Sequence, residues 1–253
     1  MTTETRGVLP FRDRLSLVLQ REVGRVLGPV WIPLCVALMR FGFGWRIEAV
    51  EATRREFQRL RRESESPLLV CANHLTMLDS LLIAAALGSP WWFAIHYASL
   101  PWNVPERVHF ASTWWKRALV YLMKCVPVTR GSDRREVGRT LARIGYLLSR
   151  GEVALIFPEG GRSRTGRVDV EATTYGAGRI IKSLPGCRVL CVYLRGERQR
   201  AYSDRPARNE RFRVAIESFQ PKTDLRGLRG SVDISRQILA RLAAMESRHL
   251  DGG

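Results

Sequence analysis

Apolar residues along this chain fall into three patterns. The first is a set of short unbroken runs, Leu68–Ala72, Val153–Phe157 and Val189–Leu194, each closed by polar or turn residues. Runs of this length suit strands buried on both faces, as in a parallel sheet. The second is apolar residues at helical spacing, clearest over 133–150 with Val137, Leu141, Ile144, Leu147 and Leu148. Further helices are predicted over Arg54–Glu63, Ser80–Leu87 (closed by Gly88 and Pro90), Trp115–Lys124, Thr174–Lys182 and Ser231–Arg248. Trp45–Ala49, Trp91–Ile95 and Cys125–Thr129 read as short strands, and alternating Phe212–Ile216 as an edge strand. Strands alternating with helices predict an α/β layered fold with a mainly parallel sheet flanked by helices.

The third pattern is confined to the N-terminus. Val26–Met39 carries no charge but holds Gly28, Pro29 and Pro33, with Arg21, Glu22 and Arg25 before it and Arg40 and Arg46 after it. At about 14 residues it falls short of the ~20 that span a bilayer, so it reads as an interfacial or re-entrant segment, or else as a buried core helix. The chain thus divides into an N-terminal membrane-associating segment, 1–44, and a second unit, 45–253. Glu4, Arg12 and Asp13 interrupt the start, and no cleaved signal peptide is expected.

Length and composition add limits. The 253 residues suit one sizeable core, and no solenoid repeat is visible. The formal charge is +17, and 37 of the 41 cationic residues are arginine. A basic protein seeks anionic partners, and guanidinium forks match phosphate, although an arginine bias also follows from GC-rich coding. The five cysteines, Cys35, Cys71, Cys125, Cys187 and Cys191, form no C-x-x-C pair and three lie in apolar runs. They read as reduced, buried thiols in a reducing compartment.

Three predicted strands end in polar clusters: Asn73-His74, Arg130-Gly131 and Glu159-Gly160-Gly161-Arg162. Ligands of open α/β sheets sit beyond the carboxyl ends of strands, so these clusters mark the expected site. In the first, His74 and Asp79 are five apart and cannot share a helical face. With His74 in a loop and Asp79 in the first helical turn, the carboxylate can fix the ring tautomer and leave the other nitrogen as a base. The same spacing also describes an ordinary N-terminal Asp beside a loop His. In the second motif, Phe157 to Arg167, a strand enters a glycine-containing turn with one acid and three arginines. Such a turn can cradle an anion, or can simply be a solvated basic turn. No serine elbow or activated cysteine is evident, which favours direct transfer over a covalent intermediate.

Taken together, the clusters resemble the glycerolipid acyltransferase superfamily. Asn73, His74 and Asp79 match its N-H-x4-D motif, and Phe157 to Ser163 match F-P-E-G-[TG]-R-S. Val126-Pro127-Val128-Thr129-Arg130 matches a weaker motif ending in arginine, and Val189 to Tyr193 a final V-P-V-type strand in which Cys191 replaces the proline. The resemblance covers roughly residues 65–195. It implies an O-acyltransferase with His74 as general base and Asp79 as its orienting partner. Arg130, Glu159, Gly160, Gly161 and Arg162 would bind the acceptor, most simply 1-acyl-glycerol-3-phosphate. Gly161 and the arginines after it also look like the glycerol-3-phosphate branch. The donor would be a thioester of acyl-carrier protein or coenzyme A, with no metal and no further cofactor. The setting would be the cytoplasmic face of a membrane.

Two other classes stay in view. The charge and seven tryptophans would permit a nucleic-acid-binding module, but no helix-turn-helix, RNA-recognition or zinc-finger pattern is present. The intact His74/Asp79 pair argues against a catalytically silent lipid binder.

Overall fold

A computed structural model of the protein describes residues 9–105, 113–128 and 133–251. The chain begins with a long helix, α1 (Phe11–Ala37), prolonged by a π turn over Leu38–Gly42. There follow β1 (Arg46–Ile47), α2 (Val50–Glu63), β2 (Leu68–Ala72), α3 (Asp79–Leu87), α4 (Pro90–Ile95) and β3 (Trp102–Asn103). Beyond them lie α5 (Trp114–Leu122), α6 (Arg134–Ser149), β4 (Val153–Ile156), α7 (Gly176–Ser183), β5 (Arg188–Gly196), β6 (Arg211–Phe219) and α8 (Gly227–Asp251).

The strands form one six-stranded sheet in the order β1-β6-β5-β2-β4-β3. Every neighbouring pair is parallel except β5 and β6. The three unbroken apolar runs are β2, β4 and β5, three adjacent interior strands, and every residue of β2 is buried. Alternate residues feed two cores. Leu69, Cys71, Ala154, Val189 and Cys191 pack with Ile144, Ile180, Ile238 and Leu242 from α6, α7 and α8. Leu68, Val70, Leu155, Leu190 and Val192 pack with Phe57, Leu60, Leu82, Ile83 and Phe93 from α2, α3 and α4. Helices therefore cover both faces of a mostly parallel sheet. α1 joins both cores, through Leu17 on one side and Ile32 on the other.

Several local expectations change. β6, expected as an edge strand, lies between β1 and β5, although β1 pairs only with Arg211 and Phe212. Trp91–Ile95 is helical, not a strand: Ser89 Oγ accepts from Trp92 N at 3.2 Å and Pro90 occupies the first turn. A capped proline start overrides the β-preference of the aromatic residues. The strand position is taken instead by Trp102–Asn103. From Cys125, only a single bridge to Asn103 forms, extended by Val128 N donating to Pro105 O at 2.9 Å; Thr129 lies outside the described residues. Finally, α1 is longer than expected and runs through Pro29 and Pro33.

The β3 edge is closed by a buried cation. Lys124 is fully buried, and its ammonium donates to Tyr97 O (3.0 Å), Leu100 O (2.8 Å) and Glu152 Oε2 (2.6 Å). Burial lowers its pKa to about 8, against the pull of Glu152. Trp102 Nε1 shares the same carboxylate oxygen at 2.8 Å.

Candidate active site

The two motifs meet because β2 and β4 are neighbours, with Cys71 opposite Ile156 at their carboxyl ends. The loops leaving these strands emerge side by side. Asn73 closes β2 in a way the sequence did not announce. Its amide mimics a peptide, donating to Leu194 O (2.9 Å) and accepting from Leu194 N (2.8 Å). This fixes the direction in which His74 leaves the sheet.

His74 sits in the loop and Asp79 opens α3, as the spacing predicts. Asp79 Oδ2 lies 3.0 Å from His74 Nδ1 and accepts from Leu75 N (2.6 Å) and Thr76 N (2.8 Å), while Oδ1 accepts from Thr76 Oγ1 (2.6 Å). A carboxylate can only accept, so the ring proton belongs on Nδ1 and the lone pair on Nε2. The carboxylate also organises the loop it faces, a second duty beyond orienting the ring. Phe157, first residue of the second motif, stacks on the imidazole with centroids 3.9 Å apart and planes at 12°. Ser163 N donates to His74 O at 2.8 Å. The two motifs are thus one structure, joined above and below the histidine.

The second motif forms a tight turn. Gly160 takes a φ of 70°, and a Cβ there would come 2.5 Å from Thr174 Cγ2, so only glycine fits. Gly161 is half-buried and keeps ordinary backbone angles. Farther on, Arg195 Nη1 donates to Gly166 O (2.7 Å) and Val168 N to Glu246 Oε2 (3.0 Å), holding the loop against β5 and α8.

Glu159 is only 8% exposed, and among the described residues its Oε1 has no hydrogen-bond partner. Burial raises its pKa to about 7, against the nearby backbone N–H groups of Asp169 and His74. Arg162 is bound to the loop after β5: Nη1 donates to Ser203 O (3.0 Å) and Asp204 Oδ1 (2.7 Å). Nothing in the sequence pointed to those partners. Arg130 lies outside the described residues.

A cavity of ≈ 300 Å³ opens at this end of the sheet. His74, Gly160 and Arg162 share its wall with apolar Leu78, Leu81, Val104, Met123, Ile156 and Phe157; Glu159 is set behind that wall. A smaller cavity of ≈ 50 Å³ between α1 and α3 shares Ser80, Leu81, Asn103 and Met123 with it. The buried cysteines offer no ready nucleophile: burial pushes the Cys125, Cys187 and Cys191 thiols up to about 12, and Cys71 well above its usual value.

The site therefore pairs an oriented histidine with an apolar cavity and an arginine. A search of curated proteins finds no match for this chain. Comparison with protein-family models matches residues 49–225, well over half the chain, to a family described as Acyltransferase. The match begins at the turn before α2 and ends just short of α8, so it takes in both motifs and every strand that carries the cavity. The chain belongs to the acyltransferase family, which carries out acyl transfer of the glycerolipid type.

Proposed function

We propose that the protein transfers a fatty acyl group from a thioester of acyl-carrier protein or coenzyme A to the hydroxyl of 1-acyl-glycerol-3-phosphate, giving a diacylated phosphate. The observation that carries this reading is the sharing of one apolar cavity by His74 and Arg162. An acyl chain needs an apolar enclosure, and the smaller cavity under α1 extends it. The acceptor needs a base for its hydroxyl and a cation for its phosphate.

In the proposed reaction the acceptor hydroxyl oxygen attacks the thioester carbonyl carbon while His74 Nε2 takes the hydroxyl proton. Asp79, 3.0 Å from Nδ1, stabilises the imidazolium that forms. The tetrahedral centre collapses, the C–S bond breaks, and the leaving thiolate takes the proton from the imidazolium. Arg162 meets the acceptor's phosphate, assisted by Arg130, while Gly160 and Gly161 let the backbone approach. Glu159 supports the turn from behind.

We further propose that α1 lies on the cytoplasmic face of a membrane. Its buried stripe, Leu17, Gln20, Gly24, Gly28 and Ile32, is docked on the body, with Gln20 Nε2 donating to Tyr121 O and Cys125 O at 2.9 and 3.0 Å. Its outer stripe exposes Leu15, Leu19, Val26, Val30, Leu34, Leu38 and Phe41. Trp91 and Ile95 on α4 and Trp114 on α5, the helices packed against α1, are exposed as well. The 32-residue helix is long enough to cross a bilayer. A helix docked along one side and carrying Arg21, Glu22 and Arg25 at its middle favours lying in the interface.

The test is an acceptor panel of 1-acyl-glycerol-3-phosphate, glycerol-3-phosphate and phosphate-free monoacylglycerol, with both thioesters, read by lipid mass spectrometry. Diacylated phosphate from the first acceptor alone is the expected product. Preferential acylation of glycerol-3-phosphate would move the assignment to that acceptor, and turnover of monoacylglycerol at equal efficiency would remove the phosphate from the reading.

A further inference from the structure

Arg162 is not free to swing. Besides the two bonds from Nη1 to Ser203 O and Asp204 Oδ1, its Cζ lies 5.5 Å from the centroid of the Tyr202 ring. All three partners belong to the loop 199–209 between β5 and β6. That loop carries none of the motifs, although it falls within the family match over residues 49–225. It is nonetheless tied to the site from two sides. Ser203 N donates to Leu75 O (3.0 Å) and Met77 N to Asp204 O (3.2 Å), so the residues that grip Arg162 also pin the loop carrying His74. At its other end, Asn209 N donates to Phe43 O and Trp45 Nε1 to Ala207 O, both at 2.8 Å, anchoring the loop to the segment after α1.

A guanidinium presents five N–H donors in a fixed plane. Only Nη1 is engaged here; among the described residues no group accepts from Nε or Nη2. That remaining edge is the one able to fork onto a phosphate. The Asp204 side chain is 81% exposed, but its backbone is pinned and it occupies a single guanidinium nitrogen. A phosphate can therefore bind without displacing it.

We propose that the loop 199–209, which lines none of the cavity itself, braces the acceptor site from behind Arg162, and that Asp204 is a positioning residue for phosphate recognition, holding one nitrogen of Arg162 so that the opposite edge is left for the ligand. This rests on the reading of Arg162 as the cation for the acceptor's phosphate. The contrary arrangement is a carboxylate that competes with the phosphate for Arg162, and it has the opposite sign. Deleting a negative charge next to an anion site should by itself tighten anion binding. A weakening on deletion therefore requires the loss of orientation to outweigh the gain in charge.

The experiment uses the full chain, 1-acyl-glycerol-3-phosphate in mixed micelles and saturating thioester, with inorganic phosphate as a competitive probe. Asp204→Ala should raise the acceptor KM about 3–10-fold, with kcat and thioester KM within roughly two-fold of the parent. The inhibition constant for inorganic phosphate should rise by a similar factor. Asp204→Glu, which keeps the carboxylate, should recover most of the loss. In an Arg162→Ala background, Asp204→Ala should add nothing, because the pair acts as a unit. A lower acceptor KM and a lower phosphate inhibition constant in Asp204→Ala would overturn the proposal in favour of competition. An unchanged KM, or kcat and both KM values moving together, would overturn it in favour of an idle or merely structural pair. Failure of the underlying reading shows separately, as an Arg162→Ala protein whose acceptor KM does not move.

Discussion

At the scale of single residues, the site's chemistry is concentrated in a few side chains with unequal duties. His74→Ala should lower kcat by about 10²–10⁴, the usual value of a general base, while the protein still folds, at some cost in stability because the ring stacks on Phe157 and meets Asp79. Near-parental turnover in a folded His74→Ala protein would remove His74 from the mechanism. Asp79→Asn should do more than disturb the ring. The carboxylate accepts from two backbone N–H groups and one hydroxyl besides the imidazole. An amide turned toward those donors leaves at least one unsatisfied, so stability should fall by roughly 1–3 kcal/mol along with activity, as calorimetry can show. Glu159 carries a pH signature. Its folded pKa, about 7, lies above its ordinary 4.5. Between those values the folded state holds more protons than the unfolded one, so stability falls as pH rises from 4.5 to 7 and the cost stays in place above 7. Glu159→Gln should remove that slope and raise stability above pH 7 by up to about 2–3 kcal/mol. Denaturant titrations at pH 5 and pH 8 check it, and an unaltered difference between the two would show that the carboxyl titrates normally. His74, Asp79 and the glycine turn were legible in the sequence because each uses a residue type suited to few other tasks. Asn73 as a peptide mimic, Phe157 as the floor of the imidazole, and Asp204 were not. Each is defined by a partner more than 40 residues away or by a ring contact between two strands' ends, and neither leaves a local pattern.

At the scale of elements, the sequence was clearest where burial was complete. β2, β4 and β5 are covered on both faces and read as unbroken apolar runs. Amphipathic α6 was equally plain. Legibility failed where two local signals competed. The aromatic run after Ser89-Pro90 suggested a strand, while the cap and proline started a helix. β3, two residues long, has no periodicity to detect, whereas the equally short β1 falls inside the strand expected over Trp45–Ala49. In α1, two prolines and a charged interval hid one continuous helix, which needs the body beneath it to persist across them. The turn at Gly160 is tight, because both the φ of 70° and the nearness of Thr174 disfavour a side chain. Gly160→Ala should cost about 1–3 kcal/mol and lower kcat/KM, because the turn borders His74 and Arg162. Adding Thr174→Ser removes the offending methyl but keeps the hydroxyl that donates to Pro158 O at 2.8 Å. The double variant should thus regain part of the stability and part of kcat/KM, the remainder being the backbone strain. No recovery would show that the methyl contact is immaterial.

At the scale of the whole molecule, the proposed reaction asks how a base in a sheet-end cavity would reach a hydroxyl on a lipid. The lipid's head group stays at the water interface, so the cavity must be presented there, and the body has to be held against the membrane. α1 can do so only if its outer stripe, rather than its whole length, meets lipid, because its inner stripe is part of both cores. Deleting residues 1–44 is accordingly a poor test: it would strip Leu17, Ile32 and Met39 from the cores, and any loss of activity would follow from unfolding. The informative changes are on the outer stripe. Val30 and Leu34 are 70% and 65% exposed, so Val30→Asp/Leu34→Asp should leave the melting temperature within a degree or two while placing two carboxylates where acyl chains would be. Binding to anionic vesicles should drop at least ten-fold in flotation, and turnover of membrane-embedded acceptor should drop with it. Turnover of a short-chain, monomeric acceptor should stay close to parental, since neither residue lines the main cavity. Arginines beside an anionic leaflet contribute on the order of 1 kcal/mol each and are screened by salt, so raising the salt should weaken binding of the parent without abolishing it. Apolar insertion is not screened, and the double variant, in which it is weakened, should be released by the same salt more completely than the parent. A double variant that still floats with anionic vesicles as well as the parent would move the membrane contact away from α1, to the exposed Trp91, Ile95 and Trp114, whose replacement by serine would then be the decisive measurement.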